Sequence, residues 1–139
     1  MIYKKDLRFF NQASKEANKS DYANFKIGCV AVSKGKIIAT GFNSTKSHPV
    51  QMKYDNYRDL RAGEVPPHTL HAEIDCLNKI KSENVDMSKL KLYIYRKRFD
   101  TPAGLARPCP ACMQRIKDLG IKDIYYTTNT GYAAEHIEF

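Results

Sequence analysis

Over the first twenty positions the apolar residues keep a helical rhythm. Leu7, Phe9, Phe10, Ala13 and Ala17 fall on one stripe while lysines and acids fill the rest, which predicts an amphipathic helix from about Lys4 to Asn18. A polar break at Ser20 and Asp21 ends it. Two runs rich in Ile and Val, 26–33 and 36–42, then flank Lys34-Gly35 and predict a two-stranded hairpin, because Gly35 can take the positive φ that a tight turn demands. From Asn43 to Pro67 the periodicity disappears, and His48-Pro49, Gly63 and Pro66-Pro67 punctuate a long loop, or a loop with a short helix. Irregular connections of that length are uncommon in a compact domain unless they serve a site. A helical face returns at Leu70, Ile74, Leu77 and Ile80, predicting a helix over 70–82, and a strand follows over 90–95. After a polar loop, 96–107, a helix is predicted over 110–119 with its stop at Gly120, then a strand over 121–128. Strands alternating with helices after residue 70 predict an α/β sheet with parallel pairing, preceded by the antiparallel hairpin.

Composition agrees with a globular chain: 139 residues, 42% hydrophobic and 27% charged, suit one domain over 1–139. Its longest apolar stretches fall far short of the roughly 20 residues of a membrane-spanning helix. The first ten residues lack the features of a secretory signal, so the protein is expected to be intracellular and cytoplasmic, with no membrane partner. A formal net charge of +8 favours anionic partners, and nucleotides and nucleic acids both qualify. Four cysteines in such a compartment are thiols or metal ligands rather than disulfides. Cys29 and Cys76 sit inside apolar patterns and read as buried, inert thiols.

Two short motifs carry the chemistry. His71-Ala72-Glu73 and Pro108-Cys109-Pro110-Ala111-Cys112 each follow a polar loop and open a predicted helix. Imidazole and thiolate are preferred zinc ligands, and helix N-termini favour thiolates. His71, Cys109 and Cys112 make three protein ligands, the number expected of a catalytic Zn2+ with its fourth position left to water. Glu73 would then accept a proton from that water and deliver it to the substrate. Two residues apart on a regular helix do not share a face, so His71 and Glu73 require the looser geometry of a first turn. A closed structural site with His68 or His48 as fourth ligand is the alternative, but it leaves Glu73 without a task.

H-x-E followed by P-C-x-x-C is the signature of zinc nucleobase deaminases. With these motifs the chain resembles the cytidine deaminase superfamily, most closely its deoxycytidylate (dCMP) deaminase branch, over about residues 22–128. Tyr22 to Gly28 and Ala39 to Asn43 agree with that resemblance. It implies a three-layer fold with a mixed central β-sheet and helices on both faces. It also implies hydrolytic deamination of a cytosine nucleotide or nucleoside, a likeness that favours dCMP, with release of ammonia. His71, Cys109 and Cys112 carry over as zinc ligands and Glu73 as the proton shuttle. Asn43, Phe25 and Ala72 carry over as substrate contacts, and homo-oligomers are a tendency of the family.

The loops set the substrate. Arg96 to Arg107, including Lys97 and Arg98, reads as a basic insertion bordering the pocket, with Arg107 beside the second motif as a candidate substrate contact. Positive charge there could hold one 5′-phosphate or follow a nucleic-acid backbone. A polynucleotide deaminase is therefore the second reading, and a non-catalytic, zinc-stabilised nucleic-acid-binding module the third. Tyr54 and Tyr57, in the long loop, are better placed for a ligand or a subunit interface than the strand tyrosines Tyr93, Tyr95, Tyr125 and Tyr126, some of which helices must cover.

Overall fold

A computed structural model describes residues 2–22, 25–58, 69–81, 84–98 and 104–138. The leading amphipathic stripe forms α1 (Lys4–Ala17). Its Asp6 accepts a hydrogen bond from the Tyr3 backbone N–H and another from the Tyr93 hydroxyl, so one buried carboxylate caps the helix and ties it to the sheet. The hairpin forms β1 (Lys26–Ser33) and β2 (Lys36–Phe42), joined where Lys34 and Gly35 both take positive φ, 51° and 78°. That is the pair of dihedrals a tight turn needs to match the strand twist.

The aperiodic segment holds α2 (Pro49–Tyr54), followed by a 3-10 turn over Asp55–Tyr57. Next come α3 (Ala72–Asn78), β3 (Lys91–Lys97), α4 (Pro110–Asp118), β4 (Asp123–Thr127) and β5 (Tyr132–His136). The sheet runs β2-β1-β3-β4-β5, with β3 and β4 parallel and every other neighbour antiparallel. Helices α3 and α4 cover one face, where Leu92, Ile94 and Ile124 meet Leu77, Met113 and Ile116. On the other face α1 covers Val30, Val32 and Tyr93 with Phe9 and Phe10. This is the expected three-layer mixed α/β architecture.

Three elements differ from the sequence reading. Leu70 does not open α3: it bridges Ser44, the extended backbone continues through His71, and the helix starts at Ala72. Arg96 and Lys97 are not loop but the end of β3, paired with Ile27 and Lys26 of β1, so backbone pairing outweighs their charge. Lys97 donates to Asn18 Oδ1 at 2.6 Å. The strand β5 has no signature in the sequence, because its side chains alternate between exposed and half-buried, with two alanines and no apolar face. His68 and residues 99–103 of the basic insertion lie outside the described residues. No helix among the described residues is long and apolar enough to cross a membrane.

Gly28 is where α1 meets β1. A Cβ there would run into the Ala13 carbonyl oxygen and lie 2.6 Å from the Ala17 nitrogen, both backbone atoms that cannot move aside. Gly28→Ala is expected to cost about 3 kcal/mol or more by overpacking, read as a lower urea midpoint with the slope unchanged.

Candidate active site

Two helix starts converge below the ends of β1 and β3. His71 is the N-cap of α3, with φ −83° and ψ 151°, so it stands outside the helix, while Glu73 lies one residue inside it. The short spacing therefore presents no conflict: one side chain leaves an extended backbone, the other the first helical turn, and both line the same cavity. Cys109 is likewise the N-cap of α4, Pro110 follows where its missing N–H costs nothing, and Cys112 completes the first turn. His71 Nδ1 lies 3.5 Å from Cys109 Sγ and 3.3 Å from Cys112 Sγ. The three donor atoms fall within 4.8 Å of one another, and among the described residues no other group of three or more such donors gathers. His48 is engaged elsewhere, accepting from the Val50 N–H as the N-cap of α2.

The donor chemistry fits zinc. A hydrogen bond with Cys112, reinforced by His71, brings the Cys109 thiol down to about 4 despite its burial. The shared bond and burial drive the Cys112 thiol up in turn. Burial pulls the His71 imidazole down, but its bond with Cys109 and the Glu73 charge outweigh that and raise it. Two sulfurs and one imidazole facing one another, with one thiol held below its ordinary range, form the soft donor set zinc takes. Glu73 is 5% exposed, and burial raises its carboxyl against the opposing pull of His71.

The cavity measures about 210 Å³, and its walls include Phe25, Asn43, Arg58, Arg96 and Arg107 beside His71, Glu73 and Cys109. Asn43 is buried and braces the start of β1: its Oδ1 accepts from the Ile27 N–H at 2.8 Å and its Nδ2 donates to the Phe25 carbonyl at 3.2 Å. An amide has four hydrogen-bonding positions, so this bracing leaves it capacity toward the cavity. Ala72 is fully buried against β2, and the cavity is walled by its neighbours. Arg107 donates from Nε and Nη2 to the two carboxylate oxygens of Glu135, each at 2.9 Å, and Tyr126 also donates to Glu135. Cys29 and Cys76 are free and fully buried, as expected. Tyr54 is core rather than ligand contact: its ring packs on Ile74, Ala111 and Cys112, and its hydroxyl donates to Asp118 at 2.6 Å. Tyr57 stays half-exposed.

Sequence reasoning missed Gln51 and misplaced Arg96. Fully buried on α2, Gln51 accepts the His71 backbone N–H at Oε1, 3.0 Å, and donates from Nε2 to buried Asp55 at 2.7 Å. Its helix has six residues, too few to show a period, although His48-Pro49 is a legible N-cap and first-turn signal. Gln51→Met removes both bonds at similar volume, and is expected to weaken zinc affinity about 10- to 100-fold. Tyr54→Phe, which loses a bond on the same helix without touching His71, should leave that affinity within about twofold in a chelator competition.

Comparison with known proteins agrees with this geometry. Residues 3–128 match the family described as the cytidine and deoxycytidylate deaminase zinc-binding region. A deoxycytidylate deaminase of Schizosaccharomyces pombe is 28% identical over 130 residues, covering 89% of this chain; the chain spans 37% of that relative's length. Among solved structures, a dCMP deaminase of the cyanophage S-TIM5, in complex with dCMP and dUMP, superposes with a TM-score of 0.60 at 23% identity, covering 92% of this chain and 84% of its own. A cytidine deaminase of Burkholderia pseudomallei superposes with 0.61 at 17% identity, covering 98% and 93%. These likenesses establish the fold, and the match over 3–128, reaching back through α1, makes the chain a member of the cytidine and deoxycytidylate deaminase zinc-binding family.

Proposed function

We propose that the protein is a zinc-dependent hydrolase that deaminates a cytosine nucleotide, with deoxycytidylate or a close analogue as substrate. The observation that carries this reading is the buried Glu73 carboxyl, set in one cavity wall with His71 and Cys109. A purely structural zinc site has no use for such a group, whose burial is costly unless it works.

His71, Cys109 and Cys112 would hold the metal. Zinc, when bound, supplies Lewis acidity that makes water a nucleophile at neutral pH. The Glu73 carboxylate takes one proton from the attacking water and passes it to ring N3, then carries the second, from the new C4 hydroxyl, to the departing amine. The water oxygen bonds to C4, the exocyclic C4–N bond breaks, and the uracil nucleotide and ammonia result. Phe25 and Asn43 position the ring, and the Arg107–Glu135 pair holds the rim beside Cys109. The named activity of the fission-yeast relative supports the choice of nucleotide. Self-association belongs to the same reading, supported by the edge strand β2, which exposes Ile37 and Ile38.

The test is ammonia release by zinc-loaded protein from deoxycytidylate and, in parallel, from a single-stranded cytosine oligonucleotide. Turnover of the monomer is the expected result. Turnover of the oligonucleotide alone would make the protein a polynucleotide deaminase, and release from neither would remove the enzyme reading.

A further inference from the structure

Arg58, Arg96 and Arg107 line the cavity, and they differ in what answers their charge. Arg107 is matched by both oxygens of Glu135. Arg58 stands 3.9 Å from the Asp55 carboxylate. Arg96 makes no salt bridge among the described residues: its Nη1 reaches only the Leu105 carbonyl at 3.5 Å, the limit of a hydrogen bond, and its Nε is buried without a partner among them.

The backbone of Arg96 is nevertheless firmly held. Its N–H donates to Thr127 Oγ1 at 3.1 Å, its carbonyl accepts from the Gly104 N–H at 2.9 Å, and Thr127 closes the triangle by donating to the Gly104 carbonyl at 2.6 Å. Its guanidinium carbon sits 4.6 Å from the centroid of the Phe25 ring, which in turn lies 4.8 Å from that of Tyr22. A cation laid on an aromatic face and fixed at a strand end is pre-organised for recognition. The unmatched charge says what is missing. A neutral carbonyl leaves that charge unanswered, whereas an oxyanion answers it at the terminal guanidinium nitrogens, with acceptors enough for a charge-assisted pair.

We propose that Arg96, seated on Phe25, is the residue that recognises the 5′-phosphate and so selects a mononucleotide over its nucleoside. This rests on the deaminase reading for the identity of the base. It also reassigns the anion contact from Arg107, whose charge Glu135 already matches.

The experiment measures binding to the zinc-loaded protein by calorimetry, with dUMP, deoxyuridine, and a single-stranded oligonucleotide carrying one internal deoxyuridine. The wild type is expected to bind dUMP about tenfold or more tighter than deoxyuridine, and the oligonucleotide more weakly than dUMP. In Arg96→Gln that preference should collapse to within about threefold, and Arg96→Lys should keep part of it, since a point charge survives without the fork. Should Arg96→Gln fail to fold, as judged by zinc content and unfolding midpoint, Arg96→Lys carries the test: the preference for dUMP should fall below that of the wild type in Arg96→Lys and stay unchanged in Arg107→Gln, while inorganic phosphate competes with dUMP and not with deoxyuridine. Equal losses for dUMP and deoxyuridine overturn the assignment, as does a collapse in Arg107→Gln instead, phosphate that competes with neither ligand, or an oligonucleotide that binds tighter than dUMP. A retained preference without ammonia release from any substrate would sink the deaminase reading and support the phosphate contact. Equal deamination of deoxycytidine and its monophosphate would do the reverse.

Discussion

Glu73→Gln should abolish turnover while leaving the metal site and the fold intact. The glutamine amide keeps the size and hydrogen-bonding reach of the carboxyl but cannot cycle a proton, so the expected loss is the share general acid–base catalysis contributes, about 10²- to 10⁴-fold in kcat. Zinc content should stay near that of the wild type, because the three donors belong to other residues. Stability should hold or rise: Glu73 is 5% exposed, and a neutral side chain removes the cost of keeping a carboxylate out of water. Activity falling while the melting temperature holds or rises is the signature of a group retained for chemistry at the expense of stability. Ammonia release, metal analysis and thermal unfolding on one preparation read all three. Residual turnover within about tenfold of the wild type would remove Glu73 from the proton path.

The metal cluster and Glu73 were legible because their chemistry demands rare residue types at short spacings. His71, Glu73, Cys109 and Cys112 announce themselves wherever the chain places them. The fold then closes the sequence gap, bringing His71 and Cys109, 38 positions apart, to a contact of 3.5 Å. The two ends of α4 were readable for the same reason, since Pro110 and Gly120 punctuate it in the sequence itself.

What stayed hidden was whatever has no local signature. Gln51 looks like any polar residue in an aperiodic segment until the fold buries it behind His71. Arg96 reads as loop because charged residues rarely mark a strand, yet pairing with Ile27 extends β3 through it. Arg107 was visible but its partner was not, since Glu135 lies on β5, a strand without an apolar face. Asn43 shows the middle case: its place beside the cavity follows from the family likeness, whereas its bracing of Ile27 and Phe25 needs β1 and β2 paired so that the end of the hairpin meets its start.

Cys112→Ser should remove the metal and, with it, part of the protein's stability. The donors come from the N-terminal ends of two helices, His71 as the N-cap of α3, Cys109 as the N-cap of α4 and Cys112 in its first turn, and these helices touch each other little. A metal bound there staples them, so its binding free energy adds to folding: about 4 kcal/mol when free zinc exceeds its dissociation constant about a thousandfold. Serine offers a harder, more weakly acidic oxygen in place of a thiolate, and the zinc retained after dialysis should fall to about a tenth or less of the wild-type content. Cys112 is also fully buried beside Tyr54, Ile74 and Ala111, so the substitution alone costs some stability whether or not zinc is bound. A chelator separates the two effects. It should lower the melting temperature of the wild type and leave that of Cys112→Ser unchanged, because only the first has a metal to lose. If the chelator shifts both equally, the cluster does not hold the stabilising metal; if it shifts neither while zinc is lost from the wild type, the metal serves the reaction alone and the helices stand without the staple.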